Sequence, residues 1–103
     1  MKIRLLDEAE RDLEAGSDFH ENRDLGLGAY FVDCLLSDIE SLKLYAGVHA
    51  RRFGLHRMVS KRFPYSIYYD VVGDRVDVYG VFGDRQRPET IEAALKGRSP
   101  KSE

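Results

Sequence analysis

Tryptophan is absent from the 103 residues, cysteine occurs once and proline three times. The single thiol, Cys34, cannot close an intramolecular disulfide, so packing must hold the fold, and this usage points to a reducing compartment. No apolar run nears the roughly 20 residues that a membrane-spanning helix needs. The opening MKIRLLDEAERDL turns acidic where the apolar part of a signal peptide would lie. The expectation is a cytoplasmic chain with no membrane association. Three histidines and one cysteine lack the paired spacing of a zinc site. No glycine-rich loop follows a strand and opens a helix to cradle phosphate, since GLG at residues 26–28 comes after a helix. Neither a metal nor a cofactor is expected. There is no repeat, and no stretch is plain enough to be a linker, so residues 1–97 read as a single domain and 98–103 as a flexible tail.

What is present suits one folded core. Apolar residues make up 43% and charged residues 33%, a globular balance, and a chain of this length buries roughly two-thirds of its unfolded surface. The net charge of −2 conceals an asymmetry. Residues 1–48 carry five cations against eleven acids, and residues 49–103 carry eleven against seven. Between His49 and Arg62 stand Arg51, Arg52, Arg57, Lys61 and Arg62 with no acid among them. Such a bipolar chain attracts an acidic partner to its basic half.

Hydrophobic spacing divides the chain. Lys2 to Leu6 alternates as a short strand. Asp7 then opens a helix, with Glu10 where a capping-box partner belongs, and Leu6, Ala9, Leu13, Gly16 and His20 or Phe19 follow at helical spacing. DLGLG breaks that pattern. A second helix runs from about Leu27 to Tyr45 on the stripe Leu27, Tyr30, Phe31, Cys34, Leu35, Ile39 and Leu42, with Cys34 as a small core residue. Gly47 stops it. The two form an antiparallel helical hairpin. From His49 the period becomes two: Ala50–Phe53 and His56–Lys61 are strand pieces around Gly54, and Phe63–Val72 is the strongest strand. Gly73-Asp74 makes a type II′ hairpin into RVDVYGVF, where Val76, Val78, Gly80 and Phe82 are expected on one face. PETIEAALKG closes the chain as a short helix, with Pro88 in its first turn. The fold class is α+β: an antiparallel sheet with the N-terminal helical hairpin packed on one face, in the order β-α-α-β-β-β-α. The first strand belongs within or beside the meander, and the sequence leaves that choice open.

In KRFPYSIYYDVV, residues 61–72, Phe63, Tyr65, Ile67, Tyr69 and Val71 share the face expected beneath the hairpin. The other face, carrying Tyr68 and flanked by cations, is expected to be free for water or a partner.

IRLLDEAERDLEAG, the GLGAYF segment at 26–31, the run from Arg51 to Val81 and the Arg-x-Arg-Pro at 85–88 together resemble the RelE/ParE superfamily of bacterial toxins. The ParE-like, plasmid-stabilisation branch is the most similar, and the likeness spans about residues 1–90. It implies the toxin of a type II toxin–antitoxin system, held in a hetero-oligomer by a cognate ParD-like antitoxin. In the ParE branch the implied target is DNA gyrase; in the RelE branch it is messenger RNA on the ribosome, cut by an endoribonuclease. RNA cleavage needs cations on the phosphate together with an acid and a base. Arg57, Arg62, Arg85 and Arg87 supply the cations and are the candidate contacts for target or partner. In the nuclease alternative Arg57, Arg62 and Arg85 are catalytic; in the ParE-like reading no residue is. Many ParE-like sequences carry a histidine near Gly83 or Asp84, and this chain does not. No His or Tyr follows Tyr79, and His56 is the nearest imidazole.

Overall fold

In the computed structural model, which describes residues 1–100, β1 (Lys2–Leu5) leads directly into α1 (Asp7–Glu21), followed by α2 (Leu27–Glu40) and the single turn α3 (Leu42–Tyr45). The remainder is β2 (Arg51–Arg52), β3 (Leu55–Val59), β4 (Tyr65–Val72), β5 (Arg75–Gly83) and α4 (Pro88–Lys96). Leu6 takes the extended position before α1 and Asp7 is already helical, so the expected capping box from Asp7 to Glu10 does not form. Asp7, Glu8 and Glu10 instead lie in the first turn, at the positive end of the helix dipole.

The hairpin is tied at its turn by one carboxylate. Glu21, the last residue of α1, accepts the backbone N–H groups of Gly26 (2.9 Å) and Gly28 (2.9 Å), which open α2. These bonds hold its carboxyl below the usual range. Gly26 precedes α2 at φ 86°, a left-handed conformation that a side chain would strain. The helices cross closely. A Cβ on Gly28 would stand 2.5 Å from the Ser17 carbonyl oxygen, and one on Gly16 2.6 Å from the Phe31 ring.

The sheet order is β1-β5-β4-β3-β2. β2 to β5 form an antiparallel meander, and β1 joins its β5 edge in parallel, pairing Lys2 with Arg75 and Leu5 with Val78. The sheet is therefore mixed. Gly73 has positive φ and Asp74 does not, which fits the two-residue II′ turn between β4 and β5. Phe53 and Gly54 both have positive φ, as a I′ turn between Arg52 and Leu55 requires. β4 begins at Tyr65, two residues later than its alternation suggests: Pro64 has no N–H to give a ladder, and Tyr65 N–H turns back to the Phe63 carbonyl.

Two findings correct the expected faces. Opposite Tyr68 and Tyr69 the register of β5 slips, with Tyr68 facing Gly80 and Tyr69 facing Val78, so Tyr79 is an extra residue. Past this bulge the alternation inverts. Val76, Val78 and then Val81 point to the hairpin, whereas Phe82 points away and Gly80 lies beneath Arg98 on that far side. The second face is also covered. Ile91 and Leu95 of α4 pack on Leu55, Tyr68 and Phe82, leaving Tyr68 only 2% exposed.

The larger core lies under the hairpin, where Phe31, Leu35 and Ile39 meet Ile67, Tyr69, Val76 and Val78. Cys34 is half-buried at its margin. Arg98 falls in the segment expected to be a flexible tail, yet it is anchored. Its guanidinium donates to both Asp12 carboxylate oxygens (2.6 and 3.1 Å) and to the Tyr79 carbonyl (3.0 Å), and lies over the Phe82 ring. Residues 101–103 of that expected tail lie outside the described residues.

Candidate functional site

Chain direction determines where the arginines fall. β3 ends, β4 begins and β5 ends at the same edge of the meander, because each runs antiparallel to the next. The connection from β3 to β4 therefore lies beside the one leaving β5, and Asp84 N–H donates to the Pro64 carbonyl across the gap (2.8 Å). Arg62 lies in the first connection, and Arg85 and Arg87 in the second; all three are exposed. Arg57, two residues before the end of β3, reaches this end along the second face and pairs with Asp84 (3.3 Å). Asp84 also accepts the hydroxyl of buried Ser66. All four candidate residues thus lie at one end of the sheet.

Their surroundings differ. Arg57 is partly neutralised by Asp84 and is about 29% exposed at its side chain. Arg62, Arg85 and Arg87 have no carboxylate partner among the described residues. Guanidiniums fit phosphate or carboxylate in a fork, and no carboxylate among the described residues competes for these three. The basic run from His49 to Arg62 does not act as one patch. Arg51 and Arg52 sit on β2, at the opposite end of β3. The Arg51 guanidinium donates to the Gly54 carbonyl, and Arg52 lies over Phe53.

The imidazole nearest Arg57 in sequence is turned away from it. His56 is buried on the hairpin face, stacked on Tyr69 at 5.0 Å, and its Nδ1 bonds the His49 carbonyl (2.6 Å). His49 Nδ1 in turn bonds the Tyr69 hydroxyl, which also accepts Gly47 N–H (2.9 Å). Burial, with His56 next to it, holds His49 below the usual imidazole range. Tyr79, at the bulge, is half-buried and packs on both cores, and burial raises its phenol. Neither group is aimed at the arginine end in the way a proton-transfer partner requires.

A second feature adjoins the arginines and was not anticipated from the sequence. Between α1 and the ends of β4 and β5 lies a cleft of about 900 Å³ walled by Phe19, His20, Phe63, Tyr65 and Phe82, with Arg23 and Arg85 at its rim. The sequence placed Phe19 and His20 as alternatives on the helix stripe; nothing in it indicated that Phe63 and Tyr65 would come round to meet them. No group of acidic, histidine or cysteine side chains that could hold a metal occurs among the described residues, and no described helix is long and apolar enough to cross a membrane.

Among solved structures, a chain of the chromosomal ParDE TA system from P. aeruginosa superposes with a TM-score of 0.68, covering 81% of this chain and 95% of that one at 21% identity. The fold is that of a ParDE chain. At this identity the likeness establishes architecture, and function must be argued from the site. No family model matches the sequence, and none of the curated proteins does.

Proposed function

We propose that the chain is the toxin of a toxin–antitoxin pair, ParE-like in mode: it acts by binding, on DNA gyrase, and is neutralised by a ParD-like antitoxin encoded beside it. The observation that carries this reading is the ParDE-type fold with unpaired arginines gathered at one sheet end. Guanidiniums with no carboxylate partner among the described residues form a contact surface for an acidic macromolecule, with long-range attraction speeding its arrival. The ParDE system is itself a toxin–antitoxin pair, which supports a protein partner for this chain. Binding is favoured over hydrolysis because His56 is buried on the face opposite Arg57 and bonded to the His49 carbonyl. The reading places the protein in the cytoplasm, where its target is.

One arrangement favours the rival reading, a RelE-like ribosome-dependent endoribonuclease. Arg57, Arg62 and Arg85 share a sheet end and could clasp a scissile phosphate between them. The two readings separate in one pair of assays. Purified chain should lower gyrase supercoiling, with Arg85→Ala weakening inhibition by about tenfold, while primer extension on translated messages shows no new ends. Cuts within codons that disappear in Arg85→Ala would reverse the order. Unchanged colony counts on induction would remove both.

A further inference from the structure

Two buried side-chain nitrogens have no hydrogen-bond partner among the described residues, His20 Nε2 in the cleft and Arg57 Nε on the second face. The second is the more informative, because of what stands beside it. Arg57 lies opposite Tyr68 on β4, and Val59, the next residue along that face of β3, lies opposite Ser66. Ser66 in turn pairs with Phe82, two residues before Asp84. Pairing of the strands thus brings Arg57, Ser66 and Asp84 together at the arginine end of the second face.

One carboxylate oxygen joins the three. Asp84 Oδ1 accepts the hydroxyl of buried Ser66 and an Nη2–H of Arg57 (3.3 Å). The Asp84 N–H is tied to the Pro64 carbonyl (2.8 Å), so the backbone that carries this carboxylate is fixed beside the start of β4. Arg57 uses its fork incompletely: Nη2 makes one long contact and Nε makes none. A guanidinium can present Nε and Nη2 side by side to two oxygens of one phosphate, and the Ser66 hydroxyl adds a third donor. Here a single internal oxygen occupies that cradle. Arg62, Arg85 and Arg87 differ, being exposed with no carboxylate partner among the described residues. Exposed cations by themselves attract any polyanion, in a salt-dependent way and without selectivity.

We propose that Asp84 is a specificity-determining residue: its carboxylate fills the cradle formed by Arg57 and Ser66, and so excludes the phosphates of RNA from this end of the sheet. Its charge adds to the exclusion, because a phosphate brought to Arg57 would stand against a like charge. That the arginine end serves a protein target rests on the gyrase-binding reading; the closed cradle does not.

The test measures binding of a fluorescent single-stranded RNA oligonucleotide to the whole chain by anisotropy, over a range of salt. Asp84→Asn, which keeps the side chain's shape, should tighten binding by about threefold, and Asp84→Ala, which empties the cradle, by about tenfold. The slope of log affinity against log salt should steepen by about 0.7, one phosphate contact on a single strand. Asp74→Asn removes the same charge from the β4–β5 turn, at the opposite end of the sheet, and should change affinity by less than about twofold. Arg57→Ala added to Asp84→Ala should abolish the gain, and Asp84→Glu should keep RNA out. A purely structural role for Asp84 would lower the urea midpoint and leave the salt slope unchanged. Equal tightening by Asp84→Asn and Asp74→Asn, a gain that survives loss of Arg57, or no gain in a folded Asp84→Asn chain would each overturn the proposal. Should Asp84→Ala fail to fold, Asp84→Asn decides alone. Gyrase supercoiling separates the two layers. A chain that passes the RNA test but leaves supercoiling untouched keeps the closed cradle and loses the gyrase reading. One that inhibits gyrase while its Asp84 variants bind RNA no better loses only the cradle.

Discussion

The two faces of the sheet are stabilised in different ways. Under the hairpin, long apolar stripes from α1 and α2 meet alternating residues of β4 and β5, and the fully buried side chains there include Phe31, Leu35, Ile67 and Tyr69. On the second face, short α4 adds Ile91 and Leu95 with half-buried Ala94, and ions complete the cover. Asp77, with no exposed surface, is clasped by Arg4 (3.0 Å) and Arg75 (2.9 Å) at one end, and Arg98 locks Asp12 near the bulge. Apolar area contributes roughly 25 cal/mol per Å² and needs no directional partner, whereas a charged pair is net stabilising only in good geometry. The hairpin face should therefore govern global stability, and the second face should govern how firmly α4 is held.

Truncating the larger core is the strongest way to break that contrast. Phe31→Ala should lower unfolding free energy by about 3–5 kcal/mol in urea titration, with all probes moving together. Leu95→Ala should lose about 2–3 kcal/mol and speed hydrogen exchange in α4 while α1 and α2 stay protected. Equal loss of protection on both faces would mean that the second face is not separable. Gly80→Ala should come next, at about 1–3 kcal/mol, because the new Cβ would stand 2.5 Å from Phe82 and 2.7 Å from the Arg98 guanidinium. Paired with Arg98→Ala, its effect should shrink, which a double-mutant cycle would measure.

Acid should separate the faces by pH with the smallest effect of the series. His20 and His49, both packed on the hairpin side, are held below their usual value by burial, so the unfolded chain binds more protons near pH 6. Their stabilisation is complete above about pH 6.5 and is lost as pH falls through their folded values. Burial pushes the Asp77 carboxyl up, but hydrogen bonds from Arg75 and Arg4 outweigh it and leave the group low. Its contribution is present above about pH 4 and lost only below that. Stability measured between about pH 7.5 and 5.5 should thus decline on the hairpin side alone, and His20→Phe should flatten the decline.

Individual residues mark how far the sequence could be read. The stripe through Phe31, Leu35 and Ile39 specifies its helix and its buried side together, because 3.6-residue spacing is a local property. Gly73-Asp74 specifies its turn for the same reason. Tyr79 gives no such signal: RVDVYGVF alternates without interruption, and only pairing against β4 shows that one residue is surplus. The same holds for Tyr68, whose burial depends on a helix twenty residues further on. Of the site, the arginines were legible as residue types, and their common end follows from antiparallel pairing. The cleft was not, because Phe19, His20, Phe63 and Tyr65 come from distant segments.

The sequence by itself determined the order of helices and strands, the hairpin turn and the apolar side of each helix, since periodicity and turn chemistry act over a few residues. Only the tertiary structure decided that β1 runs parallel beside β5, that a bulge turns Phe82 outward, that α4 roofs the second face, and that His20 stands unpartnered in a cleft rimmed by Arg23 and Arg85. Backbone hydrogen-bonding groups are the same at every residue, so which strands pair, and in what register, is settled by packing across the whole chain.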